Sequence, residues 1–281
     1  MTIDLGATPA LSRSTLPLNS GGAIPRVGLG VYLASPRDAH AAVLYALKVG
    51  YRHIDTAQFY ANEEAVGRAV RDSGLDRSQI FVTTKLWNDS QGARTAEPAF
   101  ERSVEKLGIG PPDLYLLHWP VPGRRLESWH VLERLYEEKR VKSIGVSNFL
   151  VHHLEELLGV ARIFPSVNQI ELSPFRQQRA VCDYCFAKGI VVEAYSPLTK
   201  GHRLGHPVLK ALAGELQVST AQVMLRWSLQ RGFVTLPKSV RSKRIEENIA
   251  LDGFTLDPSA MARLDALEED LAMSWDPTGV P

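Results

Sequence analysis

Apolar and polar positions alternate in blocks along this chain. Short apolar runs with the β-branched and aromatic content of strands are separated by longer stretches in which apolar residues recur at helical spacing. Seven of the strand-like runs end in a polar residue able to do chemistry. Tyr51-Arg52-His53-Ile54 leads into Asp55, Ile80-Phe81-Val82-Thr83-Thr84 into Lys85, and Leu114-Tyr115-Leu116-Leu117 into His118. Ser143-Ile144-Gly145-Val146 leads into Ser147 and Asn148, and Pro165-Ser166-Val167-Asn168 into Gln169. Ile190-Val191-Val192-Glu193-Ala194 leads into Tyr195, and Phe233-Val234-Thr235-Leu236-Pro237 into Lys238.

The same pattern predicts the elements. Residues 1–14 read as a loose arm. A short hairpin is expected over 16–25, with Gly21-Gly22 supplying the positive φ angles of its turn. The first strand spans 26–30. Ser35-Pro36 opens a helix running to Val49, since proline suits the first helical position. Asn62-Glu63-Glu64 starts the next, with acids at its positive end, and Gly74 stops it. Further helices are expected over 92–107, 126–138, 150–160, 176–187, 207–217, 220–231, 242–251 and 258–267. Eight strands, each followed by helix, predict an α/β fold: a (β/α)8 TIM barrel with an N-terminal β-hairpin and extra C-terminal helices, one domain over 1–281. In a closed parallel barrel all strand C-termini share one rim, so the seven polar residues would converge there. A doubly wound sheet is the alternative, and it would usually carry G-x-G-x-x-G after its first strand. Gly28-Leu29-Gly30-Val31-Tyr32 has no third glycine, which weakens that reading.

Composition narrows the function classes. The chain has 281 residues, 44% hydrophobic and 22% charged, as in globular proteins. A net charge of +1 gives no global field to recruit nucleic acid or a membrane surface. No apolar stretch approaches the roughly 18 residues of a membrane span, and the N-terminus lacks the pattern of a secretory signal. A cytoplasmic location is therefore expected, with a monomer as the default state. Cys182 and Cys185 are the only cysteines, and their C-x-x-C sits in a helical pattern without a second pair at zinc spacing. They are expected to be reduced structural thiols, with no metal site.

Asp55, Tyr60, Lys85 and His118 suggest a chemistry when taken together. A tyrosine near pKa 10 exchanges protons poorly at neutral pH, and a neighbouring ammonium such as Lys85 lowers that value. Asp55 could orient Lys85, and His118 could hydrogen-bond a carbonyl oxygen. Such a set would protonate an oxygen that gains negative charge during hydride addition to its carbon. Each residue also has an ordinary reading on its own. Asp55 could cap a helix, Tyr60 could be a rim aromatic, Lys85 a solvated lysine and His118 a partly buried histidine.

Several motifs, in order, carry a family likeness. Gly50-Tyr51-Arg52-His53-Ile54-Asp55-Thr56-Ala57 is followed by Tyr60, Asn62 and Glu63. Val82-Thr83-Thr84-Lys85-Leu86-Trp87, Asp113-Leu114-Tyr115-Leu116-Leu117-His118-Trp119-Pro120 and Ser143-Ile144-Gly145-Val146-Ser147-Asn148-Phe149 come next. Asn168-Gln169-Ile170-Glu171, Ala194-Tyr195-Ser196-Pro197-Leu198, and Pro237-Lys238-Ser239 with Arg244-Ile245-Glu246-Glu247-Asn248 complete the series. The chain resembles the aldo-keto reductase superfamily over nearly its whole length. The resemblance implies NADPH bound along the barrel rim without a Rossmann unit, and reduction of a small carbonyl substrate. It implies Tyr60 as general acid, Lys85 as the partner that lowers its pKa, Asp55 as the holder of Lys85, and His118 as the group that orients the carbonyl. Ser147, Asn148 and Gln169 would bond the nicotinamide carboxamide, Tyr195 would stack on its ring, and Ser196 and Leu198 would follow the pyrophosphate. Lys238, Ser239 and Arg244 would bind the adenosine 2′-phosphate, which predicts NADP over NAD, and Glu247 and Asn248 would reach the adenine. Tyr32, Trp87 and Trp119 fall where the family lines its substrate pocket.

The chain departs from the family pattern in places. Tyr32 replaces a common tryptophan, and Ser173 replaces the histidine common after Gln-Ile-Glu-Leu. The segments 121–127 and 200–206 and the C-terminal tail are short, as in the prokaryotic branch that includes 2,5-diketo-gluconate reductases. Two rival classes remain open at this point: a regulatory module with little turnover, and a Schiff-base lyase with Lys85 as nucleophile.

Overall fold

The structure, a computed structural model, describes residues 10–281. An antiparallel hairpin, β1 (Thr15–Pro17) and β2 (Ala23–Pro25), precedes eight parallel strands. These are β3 (Leu29–Gly30), β4 (His53–Asp55), β5 (Phe81–Leu86), β6 (Leu114–Leu117), β7 (Ser143–Ser147), β8 (Val167–Glu171), β9 (Val191–Tyr195) and β10 (Val234–Leu236). They lie side by side in chain order. Parallel bridges from Val27 to Thr235 and from Gly30 to Lys238 bring β10 back beside β3, so the sheet closes into a barrel. The helices between and after the strands are α1 (Pro36–Lys48), α2 (Glu63–Asp72), α3 (Ala96–Leu107), α4 (Arg125–Glu137) and α5 (Val151–Leu158). They continue as α6 (Arg179–Ala187), α7 (Pro207–Leu216), α8 (Thr220–Gln230), α9 (Ser242–Ile249) and α10 (Pro258–Asp265). This is the expected (β/α)8 barrel, with its hairpin in front.

Local chemistry explains the helix ends. Ser35 accepts a hydrogen bond from Asp38 N (3.1 Å) ahead of Pro36, so α1 starts where the sequence predicts. Ser219 and Gln222 form a reciprocal capping box at the start of α8. Two helices start later than expected because tertiary bonds claim their first residues. Ahead of α3, Gln91 Nε2 donates to Trp119 O (2.7 Å) and Gly92 N to Ser128 Oγ (2.8 Å). Ahead of α6, Arg176 Nη1 donates to Asp270 O (3.2 Å), Ser173 and Arg176 pair in a turn, and Gln178 is left-handed (φ 42°). The hairpin turn also differs from expectation. Only Gly21 has a positive φ (89°), and the loop is wider than a two-glycine turn, closed by Leu18 N donating to Gly22 O (2.8 Å).

Of the arm expected over 1–14, residues 1–9 lie outside the described ones. The rest is docked: Leu11–Arg13 forms a 3-10 turn, and Ser12 is buried with its backbone N donating to Asp252 Oδ1 (2.9 Å). Beyond it, Leu18 and Ile24 of the hairpin region pack on Leu114, Leu116, Val167 and Val234, plugging the barrel at the N-terminal ends of its strands. The outer layer packs the helices on the strands, and burial of this apolar surface supplies the main stabilisation. One contact there is unusually close. A Cβ at Gly67 of α2 would stand 1.7 Å from Leu107 O at the end of α3. With the hairpin at one end, the barrel's open end is the rim of strand C-termini.

Candidate active site

A cleft of about 910 Å³ opens on that rim. It is lined by Tyr32, Asp55, Tyr60, Trp87, His118 and Trp119 at one end and by Lys238, Ser239, Arg244, Glu247 and Asn248 at the other. Ser147, Asn148, Gln169, Tyr195, Ser196 and Leu198 lie between. Every residue expected to take part in catalysis, cofactor binding or substrate binding thus borders one cleft except Lys85, which lies beneath its floor with no exposed surface.

The floor is built from the ends of β4 and β5. Lys85 Nζ donates to both Asp55 oxygens (2.7 and 2.8 Å) and to Thr56 O (2.9 Å), and lies 3.5 Å from the Tyr60 hydroxyl. The loop that carries Tyr60 is tied down by residues of the same motif. Thr56 Oγ1 donates to Asn62 Oδ1 (2.7 Å), and Asn62 Nδ2 donates to Val31 O (3.0 Å) and Ala34 O (3.2 Å). Glu63 accepts from Thr84 Oγ1 (2.6 Å). Asn62 and Glu63 are therefore scaffolding for Tyr60 rather than groups that face the cleft.

The protonation states differ in one respect from the sequence expectation. Burial, reinforced by the Asp55 charge and by Tyr32, holds the Tyr60 hydroxyl well above its ordinary value. The expected lowering by Lys85 is not the net result, because that ammonium is already matched by the Asp55 carboxylate. Tyr60 at rest is a protonated phenol. His118 is held well below the usual imidazole range by burial and by the Lys85 charge, so its ring is neutral. Its Nδ1 is buried and has no partner among the described residues.

The middle of the cleft is a network. Ser147 Oγ donates to Gln169 O (2.8 Å), and Tyr195 donates its hydroxyl proton to Asn148 Oδ1 (2.8 Å). Asn148 Nδ2 donates to His118 O (3.0 Å) and Ser147 Oγ (3.1 Å), which commits its amide to neighbours instead of leaving it free for a ligand. Gln169 Nε2 donates to Asp55 Oδ2 (2.9 Å) and Glu193 Oε2 (3.0 Å), which leaves its carbonyl at the cleft. Asn148, Ser196 and Lys200 line the cleft with left-handed backbones (φ 63°, 49° and 50°), a conformation that costs non-glycine residues energy and is common at binding sites. At the far end, Lys238 and Arg244 make no ion pair among the described residues.

The model of the Aldo/keto reductase family matches residues 27–269. The chain belongs to this family. It is 44% identical over 270 residues to the glyoxal reductase of Bacillus subtilis (strain 168), covering 96% of this chain and 98% of that one. It is 46% identical over 258 residues to the 9,11-endoperoxide prostaglandin H2 reductase of Trypanosoma cruzi (strain CL Brener), covering 90% of this chain and 91% of that one. Among solved structures, Gox0644 superposes with a TM-score of 0.91 at 40% identity, over 96% of this chain and 99% of that one, and a point mutant of it has been solved in complex with NADPH. The Bombyx mori aldo-keto reductase in complex with NADP superposes with a TM-score of 0.89 at 34% identity, over 95% and 96%.

This aldo/keto reductase also places residues at its cleft that the sequence reading missed. Phe59 stacks on Trp87 with ring centroids 3.9 Å apart. Trp275 of the C-terminal tail approaches Trp87 (5.9 Å), Trp119 (6.0 Å) and Phe59 (6.3 Å), and remains 61% exposed. The tail is held there by Met273 N and Ser274 N, which donate to the Glu171 carboxylate (3.1 and 3.2 Å), and by a bond from Lys200 Nζ to Met273 O. A tryptophan in a tail rich in Pro and Gly was the available signal.

Three smaller expectations concern residues off the cleft. Ser173 is buried in the turn ahead of α6, where its Oγ accepts from Phe175 N (3.2 Å). Cys182 and Cys185 are free and buried on α6, and burial raises both thiols, Cys185 to about 11. No group of three or more His, Cys, Asp or Glu among the described residues could hold a metal ion, and no described helix is long and apolar enough to cross a membrane.

Proposed function

We propose that this aldo/keto reductase reduces a small aldehyde or ketone to an alcohol with NADPH, with Tyr60 as general acid. The observation that carries the reading is the Tyr60 hydroxyl, kept protonated by burial, 3.5 Å from the fully buried Lys85 that pairs with Asp55, beside His118 at the floor of one cleft. NADPH would supply a hydride from C4 of its nicotinamide to the carbonyl carbon. As the carbonyl oxygen gains negative charge, Tyr60 gives it a proton, and the product is a neutral alcohol. Lys85 stabilises the phenolate left behind, and Asp55 keeps Lys85 in place. The neutral His118 ring donates one N–H to the same oxygen, a donor already aimed where charge develops.

The cleft's donor set fits the cofactor. The Gln169 carbonyl and Ser147 suit a carboxamide, with Asn148 positioning His118 and Tyr195, whose ring suits a nicotinamide face. Ser196 and Leu198 would follow the pyrophosphate. Lys238, Ser239 and Arg244, ahead of and within the first turn of α9, suit a phosphate dianion, and Glu247 and Asn248 would meet the adenine. Two structural relatives with bound NADP or NADPH support the same reading.

The substrate end is walled by Tyr32, Phe59, Trp87, Trp119 and Trp275, with no cationic side chain among them. This wall favours neutral carbonyl compounds with an apolar or planar body over carboxylate-bearing sugars. A Schiff-base lyase is disfavoured by the geometry, because three acceptors occupy the Lys85 ammonium and no surface of it is exposed. The test is Tyr60→Phe, which removes only the acidic hydroxyl. Turnover should fall by about 10²-fold or more, while NADPH binding, followed by its fluorescence, persists. Near-normal turnover in the variant would sink the assignment.

A further inference from the structure

Beneath the cleft floor sits an acid that the proposed reaction does not use. Glu193 projects from β9 into the barrel interior and has no exposed surface. Its Oε2 accepts from Gln169 Nε2 (3.0 Å), the same amide that donates to Asp55 Oδ2 (2.9 Å). Its Oε1 has no hydrogen-bond partner among the described residues and lies 3.6 Å from His53 Nε2. Two carboxyl groups therefore share one neutral amide, and the nearby cation, Lys85, is already paired with Asp55.

We propose that Glu193 is a positioning residue for carbonyl reduction: by staying neutral it holds the Gln169 amide between itself and Asp55 and leaves Asp55 and Lys85 as a balanced ion pair beneath Tyr60. The inference rests on the reading of Tyr60 as the general acid.

Charge balance in a dry interior decides the state of Glu193. An ionised Glu193 would have a single neutral hydrogen bond and no counter-ion, which is far too costly in the barrel core. Burial, reinforced by the Asp55 charge, pushes its acid up to about 8, against weaker opposing effects of Gln169 and Lys85. His53 cannot provide the missing positive charge, since burial pushes its imidazole down to about 4. The other groups around the interior do not change this balance. β3, β7 and β10 carry no titratable residue, and Tyr115 of β6 turns outward onto Phe100. Arg26 bonds Leu229 O, Asp113 is paired with Arg77 and Lys142, and Glu171 holds the tail.

A consequence follows for the reaction. Above about pH 8, Glu193 ionises and places a second negative charge beside Asp55. Formation of the Tyr60 phenolate then becomes harder, and repulsion across the shared amide displaces Gln169. Proton donation should slow on the alkaline side, well below the pH at which Tyr60 itself ionises.

The experiment compares the pH profile of NADPH-dependent aldehyde reduction in the wild type and in Glu193→Gln, which keeps the acceptor for Gln169 but cannot ionise. The wild-type rate is expected to fall severalfold between about pH 7 and about pH 9.5. The same ratio in Glu193→Gln should be close to one. Superimposable profiles would overturn the inference while leaving the Tyr60 assignment intact. Absence of turnover in the wild type would instead defeat the reading on which it rests. If the variant does not fold, the wild-type infrared spectrum decides: the carbonyl band of a buried neutral carboxylic acid should be present at about pH 7 and lost by about pH 9.5. Its absence at neutral pH would refute the proposal.

Discussion

In the proposed reaction, Tyr60 acts as an acid because it starts with its proton and has the Lys85 ammonium beside the charge it leaves behind. Burial and Asp55 hold the phenol neutral, while Lys85 lies 3.5 Å away. The same reasoning about charge applies at the far end of the cleft, where Lys238 and Arg244 have no anionic partner among the described residues. Replacing both with alanine should weaken NADPH binding by about 100-fold, as expected for two charge-assisted hydrogen bonds, and change NADH binding less than about threefold. Fluorescence titrations with both cofactors check this, and equal losses would argue against 2′-phosphate recognition. Asp55, Lys85 and His118 were legible because each comes at or near the C-terminal end of an apolar strand. Glu193 was not, because a glutamate inside a Val-Val-Glu-Ala run gives no sign of whether it faces the barrel interior or the helices. The direction of the Tyr60 shift was not legible either, since it depends on burial and on Asp55 offsetting Lys85.

At the level of elements, the periodicity of apolar positions placed every strand and helix, and the misses are at ends. α3 and α6 begin late because Gln91, Gly92 and Arg176 bond to distant partners, which local propensity does not reveal. The close approach of α2 to the end of α3 was equally hidden. It requires Gly67, whose replacement by alanine would drive a Cβ to 1.7 Å from Leu107 O. The better helix propensity of alanine, worth about 1 kcal/mol, should not offset this overlap. Gly67→Ala is expected to destabilise by about 2–3 kcal/mol, lowering Tm by roughly 4–12 °C for a chain of this size. An unchanged or higher Tm in thermal unfolding would contradict the packing described here.

Across the whole molecule, barrel closure turns a linear series of strand ends into a single cleft. The bridges from β3 to β10 bring Lys238 and Asp55 to the same rim although they are far apart in sequence. That convergence was legible from strand count and order alone. The C-terminal tail was not, because its course depends on the Glu171 and Lys200 contacts that draw Trp275 to the aromatic wall. The resulting division, aromatic at one end of the cleft and basic at the other, supports the proposed carbonyl reduction by NADPH. Its most direct test is multiple-turnover oxidation of NADPH by the wild-type protein with a neutral aromatic aldehyde, followed by absorbance with the product quantified. One alcohol should form for each NADPH consumed, at a rate far above that without protein. Absence of oxidation above the protein-free rate across a panel of such aldehydes would contradict the account.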